Sequence, residues 1–453
     1  MTNRWLWTCL AGATGLLLVQ RAAWPFLAVS CETTGPRRPA QVRVEFVETG
    51  WAAETIRELP ERVTALTTFR EERHSADEVF VGTSPVGGVY RFWLDLSPAT
   101  ITPIATNLGD GNGFGTCEVS CLAVSDLDGD GSPELLAETS QVNPAGRPRV
   151  YVWSMPAGNP ILLGMARPEI ASRWSHGFAI IDRDRPSRRV FTTFCGLGEV
   201  VELRLSRDAP GDDRFSREGL DWRVLDRLPA SGEQATAADA DNDGRDDLCL
   251  ATGFSRNRAA IMIYDVADHD GEPVMRHVID ESDHFGNVRF AVSDLDHDGT
   301  RELIAWWCTD LSFGDTMMVR YVLDAGGVRE RSVLIPSGAD APWPRDGQFA
   351  VADMDDDGID EVWFVTGAGR LWRYDPSSRP CVREVATIDG EVGPLAAGRV
   401  GAANRPSLFV GSGRSVVQLT RSDRASAELN GRAATAVPLA TFPRLLPTPR
   451  SPR

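Results

Sequence analysis

The chain has 453 residues, a formal charge of −17 from 64 acidic against 47 basic residues, and is 42% hydrophobic. Acidity on that scale, with no basic stripe to release counterions from phosphate, excludes nucleic acid as a partner. Eight cysteines in so long a chain do not make a disulfide framework.

The first element is an apolar run from Trp5 to Val19, preceded by Arg4 and interrupted by Gln20 and Arg21. It is too short for a comfortable bilayer span and reads as the core of a secretory or lipoprotein signal over residues 1–30. Ala28 and Ser30 are small residues suited to cleavage after Ser30, which would make Cys31 the first mature residue and a candidate lipid anchor. Leu27-Ala-Val-Ser-Cys31 departs from the usual lipobox, where leucine stands three residues before the cysteine; an uncleaved membrane anchor is the remaining alternative. The expected location is secreted, or held at the cell surface or in the periplasm.

Short runs rich in β-branched and aromatic residues follow, and they read as strands. Val42–Val47 stands alone; Val63–Phe69 and Glu78–Gly82 form a pair. From Asp126 a more specific unit begins, a nine-residue loop of the form Asp-x-Asp-x-Asp-Gly-x-x-Asp/Glu between two strands. Its carboxylates are Asp126, Asp128, Asp130 and Glu134, and the design recurs as Asp239, Asp241, Asp243 and Asp247, as Asp294, Asp296, Asp298 and Glu302, and as Asp353, Asp355, Asp357 and Glu361. Carboxylates at positions 1, 3, 5 and 9 are hard oxygen donors, and glycine at position 6 permits the sharp turn that aims them at one point. The expected ligand is Ca2+, at about four sites. A helix-loop-helix calcium site would need a glutamate at position 12, where Ala137, Leu250, Ala305 and Phe364 stand instead.

The first aspartates of these loops lie 113, 55 and 59 residues apart, so the first gap predicts a hidden unit near residue 182. There Gly177-Phe-Ala-Ile-Ile-Asp182-Arg-Asp184 leads to Val190-Phe-Thr-Thr-Phe; the strands persist, while Pro186, Ser187 and Val190 replace positions 5, 6 and 9. One period before the first loop and one after the last, strand pairs recur without the aspartates (Val63 and Glu78; Pro394–Gly398 and Ser407–Gly411), which makes seven units. In the unit around Asp294 four strands can be counted: Arg289–Ser293, Leu303–Trp307, Met317–Leu323 and Arg331–Ile335. Four antiparallel strands per repeat is a propeller blade. The expected fold is therefore all-β, a seven-bladed β-propeller over residues 41–422. An N-terminal strand, assigned to Val42–Val47, pairs with the last blade and closes the ring. An open solenoid is the alternative. The proline-rich stretch 423–453 is expected to be a disordered tail.

With these loops at this period, the chain resembles the FG-GAP/VCBS repeat proteins, among them the integrin α-subunit propeller; Phe114-Gly115 and Phe285-Gly286 resemble the family's Phe-Gly element. The resemblance implies calcium between the first two strands of a blade and an extracellular role in cell adhesion or in binding protein or carbohydrate. It departs where three units lack the ligand set and where the Gly-Ala-Pro ending of integrin repeats is absent.

No nucleophile elbow, paired-histidine zinc motif or phosphate loop occurs, and the six histidines form no metal-ligand spacing. His297, at a non-ligand loop position, is expected to face solvent. Gly109–Gly115 is glycine-rich but leads into a strand, as an inter-blade connection would. Trp153, Trp306, Trp307, Trp363 and Trp372 are expected in the core, and Trp343, between Pro342 and Pro344, as an exposed contact. The expectation is a calcium-binding interaction module for a protein or glycan ligand, without catalytic residues. A carbohydrate-active lectin or calcium-dependent lyase is the alternative, which a ring of exposed aromatics would favour.

Overall fold

The computed structural model describes residues 41–70, 77–94, 100–108, 117–141, 149–155, 160–166, 177–181, 188–194, 198–205, 220–228, 231–253, 259–266, 271–281, 286–308, 316–338, 342–344, 349–400 and 404–422. The signal segment, Cys31, the tail, Asp182, Asp184, Gly109–Gly115 and Phe285 lie outside them.

Seven antiparallel sheets follow one another, giving an all-β, seven-bladed propeller. Blade 1 is built from Arg62–Phe69, Glu78–Ser84, Val89–Trp93 and Thr100–Ala105. Blade 2 is Cys117–Ser125, Glu134–Gln141, Arg149–Ser154 and Ile161–Ala166; blade 3 is Phe178–Ile181, Arg189–Phe194, Glu199–Leu205 and Leu220–Arg227. Blade 4 is Ser231–Ala238, Asp247–Gly253, Ile261–Asp265 and Val274–Ile279; blade 5 is Asn287–Ser293, Glu302–Cys308, Thr316–Asp324 and Gly327–Gly338. Blade 6 is Ala350–Ala352, Glu361–Val365, Arg370–Tyr374 and Val382–Ile388, and blade 7 supplies Val392–Val400, Arg405–Ser412 and Ser415–Arg421.

Closure uses an N-terminal strand, but a different one from that expected. Trp51–Glu58 pairs with Ser415–Arg421 and completes blade 7. Val44–Phe46 instead pairs with Ala386–Ile388 as a fifth strand on the edge of blade 6. The two strands are adjacent in sequence and both carry apolar residues, so only the pairing distinguishes them. At the seam Gly411 of blade 7 lies against Val63 of blade 1; a Cβ on Gly411 would stand 2.7 Å from Val63 Cγ1, so the close approach needs glycine.

Burial follows position in the blade. Second strands are covered by neighbouring blades on both faces, so Glu78–Ser84, Asp247–Gly253 and Glu302–Cys308 are buried at every residue. Fourth strands reach solvent, and Gly327–Gly338 is mostly exposed. Period-two alternation then sends successive side chains to different inter-blade cores. Trp307 packs with Val288 and Ile263 between blades 4 and 5, whereas Trp306 packs with Phe364 and Tyr374 between blades 5 and 6. Trp363 is likewise fully buried and Trp153 nearly so, as expected. Trp343 is not the exposed contact expected of it; it is half-buried against the Trp306 cluster, beside Pro344, which bridges to Thr366 of blade 6.

Candidate metal cradles and the place behind them

Every described blade runs from axis to rim in the same order, so the loops joining first to second strands open on one face. The four aspartate loops share one hydrogen-bond scheme. The position-6 N–H donates to the position-1 carboxylate: Gly131 to Asp126 at 3.0 Å, Gly244 to Asp239 at 3.1 Å, Gly299 to Asp294 at 3.0 Å and Gly358 to Asp353 at 2.9 Å. The position-7 N–H donates to position 5: Ser132 to Asp130, Arg245 to Asp243, Thr300 to Asp298 and Ile359 to Asp357. The position-2 N–H donates to the carboxylate at position 9: Leu127 to Glu134 at 2.7 Å, Ala240 to Asp247 at 3.0 Å, Leu295 to Glu302 at 3.1 Å and Met354 to Glu361 at 2.9 Å. The backbone thus holds the carboxylates at positions 1, 5 and 9 of every loop.

The position-6 glycines have φ between 85° and 87°, as the turn requires. Position 4 is left-handed as well, with φ of 74° at Gly129, 61° at Asn242 and 56° at both His297 and Asp356. The sequence reading missed that second constraint, although the residues announce it: glycine, asparagine, aspartate and histidine are the types that tolerate this region. His297 is about half exposed, as expected, with Nε2 3.5 Å from Asp360 Oδ2.

The loops also fasten neighbouring blades. Leu127 and Leu295 carbonyls accept N–H bonds from Arg188 and Asp360 of the following blades, at 2.9 and 2.8 Å. Asn242 donates to the Leu323 carbonyl at 3.0 Å and accepts from Arg301 N–H at 2.6 Å. The position-2 side chains Leu127, Leu295 and Met354 are buried in the next inter-blade core.

In blade 2 the ligand atoms of Asp126, Asp128 and Glu134 lie within 4.8 Å of one another, and in blade 4 those of Asp239, Asp241 and Asp247 do. In blades 5 and 6 the corresponding groups are Asp294, Asp296 and Asp298, and Asp353, Asp355 and Asp357, without Glu302 or Glu361. The donor sets, all carboxylate oxygen on a preset loop, fit a hard divalent cation.

What separates the two classes stands behind the loop, on the third strand. In blade 5 Arg320 faces Ile304 across the sheet and donates to Glu302 Oε1 at 2.9 Å. In blade 6 Arg373 faces Trp363 and donates to Glu361 Oε1 at 2.9 Å. The same place in blades 2 and 4 holds Val152, facing Leu136, and Ile263, facing Cys249. Glu134 and Asp247, 1% and 2% exposed, therefore have no arginine across the sheet. Burial, with the loop aspartates adding repulsion, pushes Glu134 up to about 8 and Asp247 up to about 7. Glu302 is also raised by burial, with Arg320 pulling it back. Glu361 is pushed up to about 8, since burial and the Asp355 charge outweigh Arg373. Arg373 is shared with Asp355, Asp375 and Glu48, at 3.4, 3.6 and 3.6 Å.

The blades without a full loop carry the same place in other forms. In blade 1 the second strand opens on Glu78, which receives two bonds of 2.6 Å from Arg91, facing Phe80. Blade 3 reverses the charges. Arg189, rather than Val190, faces the last residue of its first strand, and it donates to Glu202 at 2.7 Å from the strand opposite. Blade 7 uses a neutral pair, Gln418 Nε2 donating to Ser407 Oγ at 3.0 Å.

Cys117 and Cys121 lie on one strand, where four residues of extended chain span about 13 Å, too far for a bridge, and both are free thiols. First-strand residues of all seven blades, including Leu66, Cys121, Gln234, Phe290, Val351 and Leu395, line an axial cavity of about 280 Å3.

No family model matches the sequence, and no curated protein matches it. Among solved structures, that of the Dos1 propeller is similar over 82% of this chain and 95% of that one, at 11% identity and a TM-score of 0.47. The propeller assignment rests on the strand pairing described above.

Proposed function

We propose that the chain is an exported or surface-attached, calcium-stabilised propeller that serves as a binding module, of the kind found among FG-GAP/VCBS repeat proteins. Calcium would be held by the four loop carboxylate sets and would supply positive charge to a face that otherwise concentrates 16 carboxylates. Outside the cytoplasm, where calcium is typically millimolar, even sites of about 10^-4 to 10^-3 M affinity would fill.

A protein ligand is favoured over a glycan by the character of the exposed apolar surface. Among the described residues the exposed large hydrophobics are all aliphatic, and eight of the ten lie on fourth strands, among them Ile161, Val274, Met275 and Val333. Sugar recognition by stacking uses exposed aromatic rings, and no aromatic is among the exposed large hydrophobics of the described residues. The experiment is a thermal melt of the exported protein in EDTA and in millimolar calcium, with bound ions counted by native mass spectrometry. Strong stabilisation with bound calcium is expected; an unchanged melt with no ion would remove the calcium reading. A glycan array and an ultraviolet assay for unsaturated sugars on acidic polysaccharides should both be blank, and a signal in either would move the assignment to the carbohydrate-active alternative.

A further inference from the structure

The place behind the loop holds a buried acidic side chain in six blades: Glu78, Glu134, Glu202, Asp247, Glu302 and Glu361, none more than 3% exposed. Four of the six have an arginine within hydrogen-bond distance, at 2.6 to 2.9 Å. Burying an ionised carboxylate without a countercharge is strongly unfavourable, so the four arginines are what such a place requires. Glu134 and Asp247 alone form no ion pair among the described residues. Each has one oxygen engaged by the position-2 N–H and is turned into a cluster with two loop aspartates.

We propose that the cradles of blades 2 and 4 are the tight divalent-cation sites, and that in blades 5 and 6 Arg320 and Arg373 act as built-in cations that weaken metal binding at least tenfold. The inference rests on the calcium reading and refines it: four similar loops become two metal-dependent and two arginine-backed units.

Two geometric features carry it. In the arginine-backed blades the guanidinium occupies the oxygen of Glu302 or Glu361 that the N–H bond leaves free, so a ligand is lost to the ion. The guanidinium is also a fixed positive charge behind the loop, and like charges across a partly buried gap cost far more than in water. Blade 6 goes further: Arg421 of blade 7 reaches the loop itself, 3.2 Å from Asp355 Oδ2, and Arg399 reaches Asp356 at 3.3 Å. In blade 4 His277 Nε2 is 3.7 Å from Asp241 Oδ2, beyond hydrogen-bond distance, and the Arg301 charge acts on Asp239 at the loop rather than on Asp247 behind it.

The test is a calcium titration of the full exported protein read by calorimetry and native mass spectrometry. Two ions should be retained at free calcium at least about tenfold below that needed for any further ion. Glu134→Gln and Asp247→Asn should each remove one tight ion, while Glu302→Gln and Glu361→Gln should leave both. Arg320→Met should add a third tight ion, and the wild-type titration keeps the test decisive should that variant fail to fold. Four equivalent ions, or tight ions lost in the Glu302 and Glu361 variants, would overturn this inference while leaving the calcium reading intact. No bound ion at any concentration would overturn both.

Discussion

Blades 2 and 5 carry nearly the same loop and stand in different electrostatic situations. Both hold aspartates at positions 1, 3 and 5 with the same backbone bonds, and both bury a glutamate at the head of the second strand. Behind that glutamate, on the third strand, Val152 stands in one and Arg320 in the other. In one blade the glutamate's charge is balanced within the protein; in the other the balance must come from a proton or an ion. A loop motif therefore fixes which atoms can bind a cation, and the residue behind it decides how much the fold gains by doing so.

The largest effect should come from removing a balancing arginine in blade 1, whose sequence carries no aspartate ladder to recruit an ion. Arg91→Met leaves Glu78 buried and unpaired and should cost about 3–5 kcal/mol in urea unfolding, largely recovered by adding Glu78→Gln. A loss no larger than that of an exposed arginine would break the comparison at its root. Next, Glu134→Gln should change sign with conditions. Without calcium it relieves a buried charge and should stabilise by roughly 1–3 kcal/mol above pH 8; with calcium it should destabilise. The same sign in both buffers would mean that Glu134 does not contribute to a metal site.

The pH dependence of the calcium-free protein sharpens the contrast. Glu134, Asp247 and Glu361 have folded-state values of about 8, 7 and 8, above those of the unfolded chain. Between the ordinary carboxylate range and pH 8 the native state holds protons that the unfolded chain has released, so stability should fall as pH rises through that window. Below that range both states are protonated at these groups, and the stabilisation they give is fully present. Millimolar calcium should flatten the slope; a calcium-free midpoint that is constant from pH 5 to 8 would contradict the burial of these groups. The smallest effect is expected at His297, which is left-handed, about half exposed and outside the ligand set. His297→Asn should keep the backbone conformation and shift the melting free energy by no more than about 0.5 kcal/mol.

Much of the architecture was legible because it is local. Strand, loop and strand are contiguous, so the glycine at each turn and the carboxylates the loop carries read directly from nine residues, although only three of the four in each loop lie within 4.8 Å of one another. Seven units follow from the period alone. The tryptophans of Leu303-Ile-Ala-Trp306-Trp307 belong to the core because a second strand has no exposed face. Trp343 was misjudged by its proline neighbours, which mark a loop but not where the loop packs. The arginines behind the loops left a signal that went unread: Tyr90-Arg91-Phe92, Val319-Arg320-Tyr321 and Trp372-Arg373-Tyr374 each place one charge inside an apolar strand ahead of an aromatic. Val152-Trp153 and Ile263-Tyr264 stand at the same place without it.

The sequence by itself determined the repeat, the number of blades and which carboxylates each loop can offer, since these are properties of short segments and their spacing. Tertiary structure alone decided which side chain stands behind each loop. The carboxylate and its partner are 12 residues apart in blade 6, 13 in blade 1 and 18 in blade 5, because the connecting hairpin varies while the cross-strand register does not. It also decided ring closure, where Trp51–Glu58 rather than Val44–Phe46 completes blade 7. Both choices are made by pairing across space, and hydrogen-bond register between distant strands carries no fixed interval along the chain.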